Sequence, residues 1–540
     1  MISKVQKFGI EYKTAVLFIV LVIFDLIFYT ILINNFPGFY GDDFYLFGTI
    51  KDNIANQKFM EYQSLYSIFL RPLSYLSHFF DFLIWKYNSS AMKYESLLLL
   101  LITISLFWIT LSKIQVFFNK KKNNLMIFLL SLIFSTHIIA VTPVLWISGR
   151  NELLMVLFYI ICVYLLFRFL EDSNRTLLYF VPLVFILGIL SKQQMIHLPV
   201  LMLIFILFFK KNIEKEKFIW AIRIIFLTIF ISLIFVLLNL FYIIDTSDNV
   251  SFLWENISRK PFSIIGSLVI TAIPFGGSNI YDYFLENHNI ALLLMVLLIF
   301  AVILFIIKFP EYRKSIILTS LLFLISFFPQ VYMKTELRFC SIQAFLLYLF
   351  IGVLLNKLDL KQLKYVYALF LFLLFSNFME AKIYISDSIS NSNTGKEVFY
   401  KLDNFLKLNS KRVLILCSPF NTNLPYEYHF IKHNEFGCDS IKNLPVWELS
   451  GYENYYSVSS KPTLSAIMNK GTLNLEVLTD RGYLAYNNAF NIFRKIKILS
   501  KEKDESNKTR KLSILIDNEL LLNNYMIYFN GSEWESVNNN

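Results

Sequence analysis

Apolar runs of about twenty residues follow one another along most of this chain, and nothing constrains its fold more. They lie near residues 14–34, 94–118, 125–145, 151–170, 176–191, 194–209, 218–243, 290–307, 315–333, 338–356 and 364–380. A hydrocarbon layer about 30 Å thick takes roughly 20 residues of helix. Each run is therefore predicted to cross a membrane, for about eleven crossings. Only 16% of the residues are charged, against about 25% in a soluble domain.

The breaks between runs alternate in character. "NKKKNN", "RFLEDSNR", "KKNIEKEK", "KFPEYRKS" and "NKLDLKQLK" are compact and rich in Lys or Arg, as are Lys4, Lys7 and Lys13 ahead of the first run. The others, "GDD", "WISGRNE", "SKQQ", "ISRKP" and "KTELR", carry fewer cations. Placing the first set in the cytoplasm satisfies the positive-inside rule and puts the N-terminus inside and the C-terminus outside. The net charge of +11 then reads as a topology signal, not as a nucleic-acid surface. Segment 262–289, broken by Pro274, Gly276 and Gly277, is predicted to be re-entrant or interfacial. The first run is too long for a signal-peptide core and is expected to be retained.

Two regions stand outside the runs. Residues 35–93 form a large first outer loop in which "LYSIFLRPLSYLSHFFDFLIW", interrupted by Arg71, His78 and Asp81, suits an interfacial helix with its polar face towards water. After residue 380, "DSISNSNTGKE" reads as a polar linker, and "RVLILC", "LNLEVL", "RKIKILS" and "KLSILI" read as strands. The expected organisation is a membrane domain over 1–380 and a C-terminal α/β domain over 381–540, outside the membrane. Cys162 and Cys340 fall in apolar runs and read as buried thiols. Cys417 and Cys438 would pair if the tail faces an oxidising compartment. No Cys/His metal spacing occurs.

The outer face collects the residues able to do chemistry. Asp42 and Asp43 adjoin in "YGDDFYLF". Such a pair at a helix start also serves as N-cap and first-turn acid. Arg71, Arg150, Lys192, Lys334, Glu336 and Arg338 occupy the neighbouring outer turns. Any one of these cations could simply snorkel, but together they surround a carboxylate-bearing loop. Sugar transfer from a polyprenyl phosphate needs this set. Cations match the charge developing on the phosphate leaving group, and a carboxylate takes the proton of the acceptor hydroxyl.

"YGDDFYLF", "FLRPLSYL", "HIIAVTPVLWISGRNELL", "ILSKQQMIHLP" and "ELRFCSIQAFLL" resemble, in order, the GT-C glycosyltransferases. The likeness is to the protein O-mannosyltransferase-like branch, which includes the transmembrane-and-TPR mannosyltransferases, and it covers about residues 40 to 350. It implies a catalytic base at Asp43 or Asp42 and donor-phosphate binding by Arg71, Arg150, Lys192 and Arg338. His137 and Glu336 are implied as acceptor-side or structural residues. Thr142 and Gln193 stand where the family commonly has acids, and no TPR repeats follow. No particular cofactor is implied, and a divalent cation is compatible. The partners implied are a polyprenyl-phosphate sugar, membrane lipid, and a protein, lipid or glycan acceptor, with no nucleic acid. The place implied is the inner cell membrane. A lipid-linked glycan transporter or flippase, or a polysaccharide polymerase or ligase, would use similar outer charges. The first should show internal repeats, and the second a large late outer loop.

Overall fold

The computed structural model describes residues 2–39, 71–119, 122–244, 313–326, 341–355 and 360–407, ten strands between 412 and 536, and single helical positions within 43–54 and 293–307. The described residues are mostly helical. They divide into two compact units, one of residues 1–38 and 62–385, the other of 39–61 and 386–540.

In the first unit the helices start and stop at residues chosen for it. Helix α1 (Ile2–Asn35) ends just ahead of Pro37 and Gly38, with Asn35 Nδ2 donating back to the Ile31 carbonyl at 2.7 Å. Helix α2 (Pro72–Trp85) opens on a proline, which lacks the N–H that a first turn leaves unpaired. Next come α3 (Ser89–Asn119), α4 (Asn124–Thr136), capped by the Asn123 side chain on Met126 N, and α5 (Ile138–Leu145). Helix α6 (Arg150–Asp172) precedes α7 (Arg175–Ser191), which Asn174 caps through Thr176 N. Then come α8 (Leu198–Phe208), α9 (Lys215–Ile244), α10 (Arg313–Ser326), α11 (Ser341–Leu355) and α12 (Leu360–Lys407).

Five of these helical stretches are long and apolar enough to cross a membrane: Tyr12–Asn35, Ser89–Phe117, Ile147–Asp172, Lys215–Leu238 and Lys364–Ser390. A sixth results if α4 and α5, bent by 49° at His137, count as one. Of the other predicted crossings, Arg175–Ser191 and Gln193–Phe208 are shorter apolar helices. Residues 290–307 lie almost wholly outside the described residues, as does all of 262–289. Exposed side chains on α1 (Ile19, Ile23, Ile27) and α9 (Phe226, Phe230, Leu237) make apolar stripes of a kind soluble monomers rarely show. These surfaces are compatible with a membrane protein.

Helix α6 packs between α3 and α7. Its core contact runs through Phe345 of α11, which meets Phe107 of α3 and Tyr159 of α6 edge to face at 5.6 and 5.7 Å. Phe107 also stacks on Phe134 of α4.

One expectation of the sequence fails here. The polar stretch after 380 is helix, not linker, because α12 continues unbroken to Lys407. A buried stripe of Phe370, Leu373, Asn377, Ala381 and Ile385 leads into the polar stretch in helical register, and no proline interrupts it.

The second unit contains the end of α12 and the strands. Strands β9 (Asn524–Phe529), β1 (Arg412–Cys417) and β2 (Val446–Glu448) lie parallel, and β10 (Trp534–Ser536) is antiparallel on the β9 edge. An antiparallel sheet orders β4 (Leu464–Asn469), β5 (Thr472–Val477), β8 (Thr509–Ile516) and β7 (Ile496–Lys503). β3 (Ser450–Glu453) pairs β6 (Tyr483–Tyr486). The four strands expected from sequence fall on β1, β5, β7 and β8. Cys438 lies outside the described residues, as does the pairing expected of it.

Candidate functional site

Two buried ion-pair clusters grow from the first turn of α6. The chain enters that turn through Ile147–Gly149, a single 3-10 turn folded back on α5. A Cβ on Gly149 would stand 3.1 Å from the Pro143 Cα, so the absent side chain allows the close fold that delivers Arg150 at the helix start.

Arg150 points into protein, its side chain 2% exposed. Its Nη1 pairs with Asp81 of α2 and lies 3.5 Å from Glu95 Oε2 of α3. Its Nη2 donates to the Met92 carbonyl at 2.7 Å, and Nε donates to Ser96 Oγ at 3.0 Å. Glu95 also accepts from Trp85 Nε1 at 2.5 Å, and His78 Nδ1 lies 3.7 Å from Asp81 Oδ2. Burial alone would raise Asp81, but hydrogen bonds with His78 and Glu95 and the Arg150 charge bring it down to about 2. Burial pushes His78 below its ordinary value, outweighing the pull of Asp81.

This cluster reverses the expected orientation of α2. Ser74, His78 and Asp81 are buried, while Phe80, Leu83, Ile84 and Trp85 are exposed. A desolvated guanidinium needs carboxylates more than the carboxylates need water, so the polar face turns inward onto Arg150. Arg71, half-buried ahead of Pro72, starts the same helix with its carbonyl accepting from Tyr75 N.

Lys192, at the end of α7, forms an ion pair with Glu152 of α6, both side chains fully withdrawn from solvent. Gly188 lets the next turn, Gln193–His197, fold back across α7, since a Cβ there would meet Met195 Sδ at 2.3 Å. Gln194 and His197 are buried within this turn, with the His197 ring 6.0 Å from Tyr159. Glu152 also lines a cavity of about 10 Å³ with Thr103 and Ser341, room for about one water. An apolar cavity of about 50 Å³ lies among Tyr159, Met202, Phe205 and Phe345; it lacks the polar partners a water requires.

His137 joins α4 to α5. Its carbonyl accepts from Ala140 N and Val141 N, and its Nδ1 accepts from Ile139 N at 3.1 Å. Thr142 bonds back to the Ile138 carbonyl within α5. Asp43 is helical and fully buried in the second unit. Asp42, Lys334, Glu336 and Arg338 lie outside the described residues. Among the sequence-predicted residues, then, Arg150 and Lys192 enter neighbouring clusters through α6.

Sequence reasoning named no role for Glu95, Glu152, Lys93 or Asp25, and turned Asp81 towards water. Lys93, 1% exposed, donates to the Pro37 and Gly38 carbonyls and lies 4.7 Å from the Phe36 ring centre, pinning the chain where it leaves α1. The usable signal was an acid inside an apolar stretch, where it requires a partner. Among the described residues, no three His, Cys, Asp or Glu side chains gather to hold a metal. The ion pairs tie the first turn of α6 to the end of α7 and the middle of α2. For Arg150 or Lys192 to meet an anion, it must exchange a carboxylate for it.

Compared with known protein families and with characterised proteins, the chain matches none.

Proposed function

We propose that the chain is an integral-membrane glycosyltransferase of the GT-C kind. In this reading it moves a sugar from a polyprenyl phosphate to an acceptor on the outer side of the membrane. The observation that carries the reading is the ordered series of motifs from "YGDDFYLF" to "ELRFCSIQAFLL", each at a turn between apolar runs. The N-terminus lies in the cytoplasm, about eleven segments cross, and the strand-bearing tail lies outside as an α/β domain, as the alternation of cationic breaks requires.

Asp43 acts as the base that deprotonates the acceptor hydroxyl, and Asp42 caps the helix or positions a cation. With one base and no second nucleophile, transfer is a single displacement with inversion at the anomeric carbon. Arg71 and Arg338 meet the donor phosphate directly. Arg150 supports Arg71 through Asp81, because that ion pair anchors the helix Arg71 begins. Lys192 reaches the phosphate by leaving Glu152.

The test is turnover by purified full-length protein with a polyprenyl-phosphate sugar and acceptor. Asp43→Asn keeps shape and removes basicity, so turnover should fall about 10²–10⁴-fold. Near-wild-type turnover in both Asp42→Asn and Asp43→Asn would remove the carboxylates from the mechanism. A transporter of lipid-linked glycan is the second reading, favoured by the bend between α4 and α5. It predicts movement of the lipid-linked sugar across vesicles without transfer.

A further inference from the structure

The bend at His137 frees backbone carbonyls in a buried place, and side chains from α1 and α12 come to meet them. Tyr29 Oη donates to the Ser135 carbonyl at 2.5 Å. Asn377 Nδ2 uses both hydrogens, one on the Ile133 carbonyl and one on Thr136 Oγ1, each at 3.0 Å. Thr136 Oγ1 donates to the Leu132 carbonyl at 2.8 Å. Ser135 Oγ lies 2.8 Å from Asp25 Oδ1 and 3.0 Å from the Leu132 carbonyl, so its one proton has two acceptors within reach.

Asp25 Oδ2 and Asn377 Oδ1 are among the buried side-chain atoms left without a hydrogen-bond partner in the described residues. Both residues are fully buried, and both atoms are acceptors. Asp25 stands near the middle of the apolar segment Tyr12–Asn35. It faces the C-terminal end of α4, where the helix dipole is negative.

No cation offsets this charge among the described residues. Tyr29 is the titratable neighbour on α1. His137 accepts a backbone N–H at Nδ1 and so lacks a proton there. Tyr348 of α11 lies by His137, and α12 adds Glu380 and Tyr384. Lys93 of α3 is held on the Pro37 and Gly38 carbonyls. Water would satisfy the acceptors without neutralising the carboxylate, and an isolated buried charge is too costly to persist.

We propose that Asp25, Ser135 and Asn377 form a binding site for one monovalent cation, a proton or Na⁺, at the break between α4 and α5. The pairing of a half-helix C-terminus with a buried acceptor cluster is the chemistry by which broken helices hold such ions. The site does not rest on the transferase reading.

The test uses the full chain, purified in detergent. Heat stability is measured against pH in choline chloride and against Na⁺ at constant ionic strength. In the wild type, the stability due to a bound proton is lost as pH rises, and Na⁺ restores it if the site takes the larger ion. Asp25→Asn should lose both dependences. Identical pH and Na⁺ responses in wild type and variant would overturn the site. Should Asp25→Asn fail to fold, an apolar carbodiimide, which modifies protonated carboxyls, is applied to the wild type and Asp25 labelling is read by mass spectrometry. Labelling lost on raising the pH, or blocked by Na⁺, supports the site. Absent labelling, or labelling indifferent to both, refutes it.

Discussion

The Lys192 ammonium rests on the Glu152 carboxylate with both side chains at or below 1% exposure. Two residues back along the same helical turn, Arg150 pairs with Asp81 instead. One turn of α6 thus ties down the end of α7 and the middle of α2.

Breaking the first of these pairs should be costly. Glu152→Gln leaves a buried ammonium uncompensated and should destabilise the protein by about 3–5 kcal/mol. Glu152→Leu combined with Lys192→Met removes both charges and should recover much of that loss. Thermal unfolding in detergent checks the difference. A double variant no better than the single one would mean the pair contributes little.

Arg150→Lys keeps the charge but cannot reach Asp81, Glu95, Ser96 and the Met92 carbonyl together. The expected loss is about 1–3 kcal/mol from buried groups left unpaired. Trp85 fluorescence should report a loosened α2, since its indole bonds to Glu95 in the same cluster.

Acidification should weaken the α2 cluster. Burial holds His78 below its ordinary value, so at falling pH the unfolded chain takes up a proton that the folded chain refuses. Stability then declines as pH drops below the ordinary imidazole value of 6.5. Asp81, at about 2 in the fold, contributes stability that is lost only as pH falls through the carboxylate range towards that value. The His78 contribution, read as the difference in unfolding temperature between wild type and His78→Gln, should therefore decline from neutral pH to about 5.

Gly149→Ala places a Cβ against the Pro143 backbone, which no side-chain rotation relieves. A cost of about 1–3 kcal/mol is expected. Because the strain sits in the turn before Arg150, proteolysis should also cut more readily between α5 and α6. Unchanged stability and cleavage would show that the turn has room to shift.

The helices were legible because their causes are local. An apolar run of spanning length, an Asn cap at 123 or 174, and a proline at 72 each act within a turn or two of themselves. The same holds for β1, whose run "RVLILC" coincides with the strand Arg412–Cys417. Of the candidate site, the sequence located Arg150 and Lys192 at helix ends, because the breaks in the apolar pattern mark those ends.

Their partners were not legible. Asp81 was assigned to a water-facing side of its helix, and Glu95, Glu152 and Asp25 drew no role at all. Period and composition describe one helix at a time, whereas a desolvated charge selects whichever opposite charge the packing of several helices brings within reach. For the same reason α2 turned its polar face inward. Helix α12 ran through a polar stretch that local composition assigned to a linker, with no proline to stop it. The sequence by itself determined where chain would be helical and apolar. The tertiary structure decided which charges neutralise one another, because that choice depends on residues far apart in the chain being buried together.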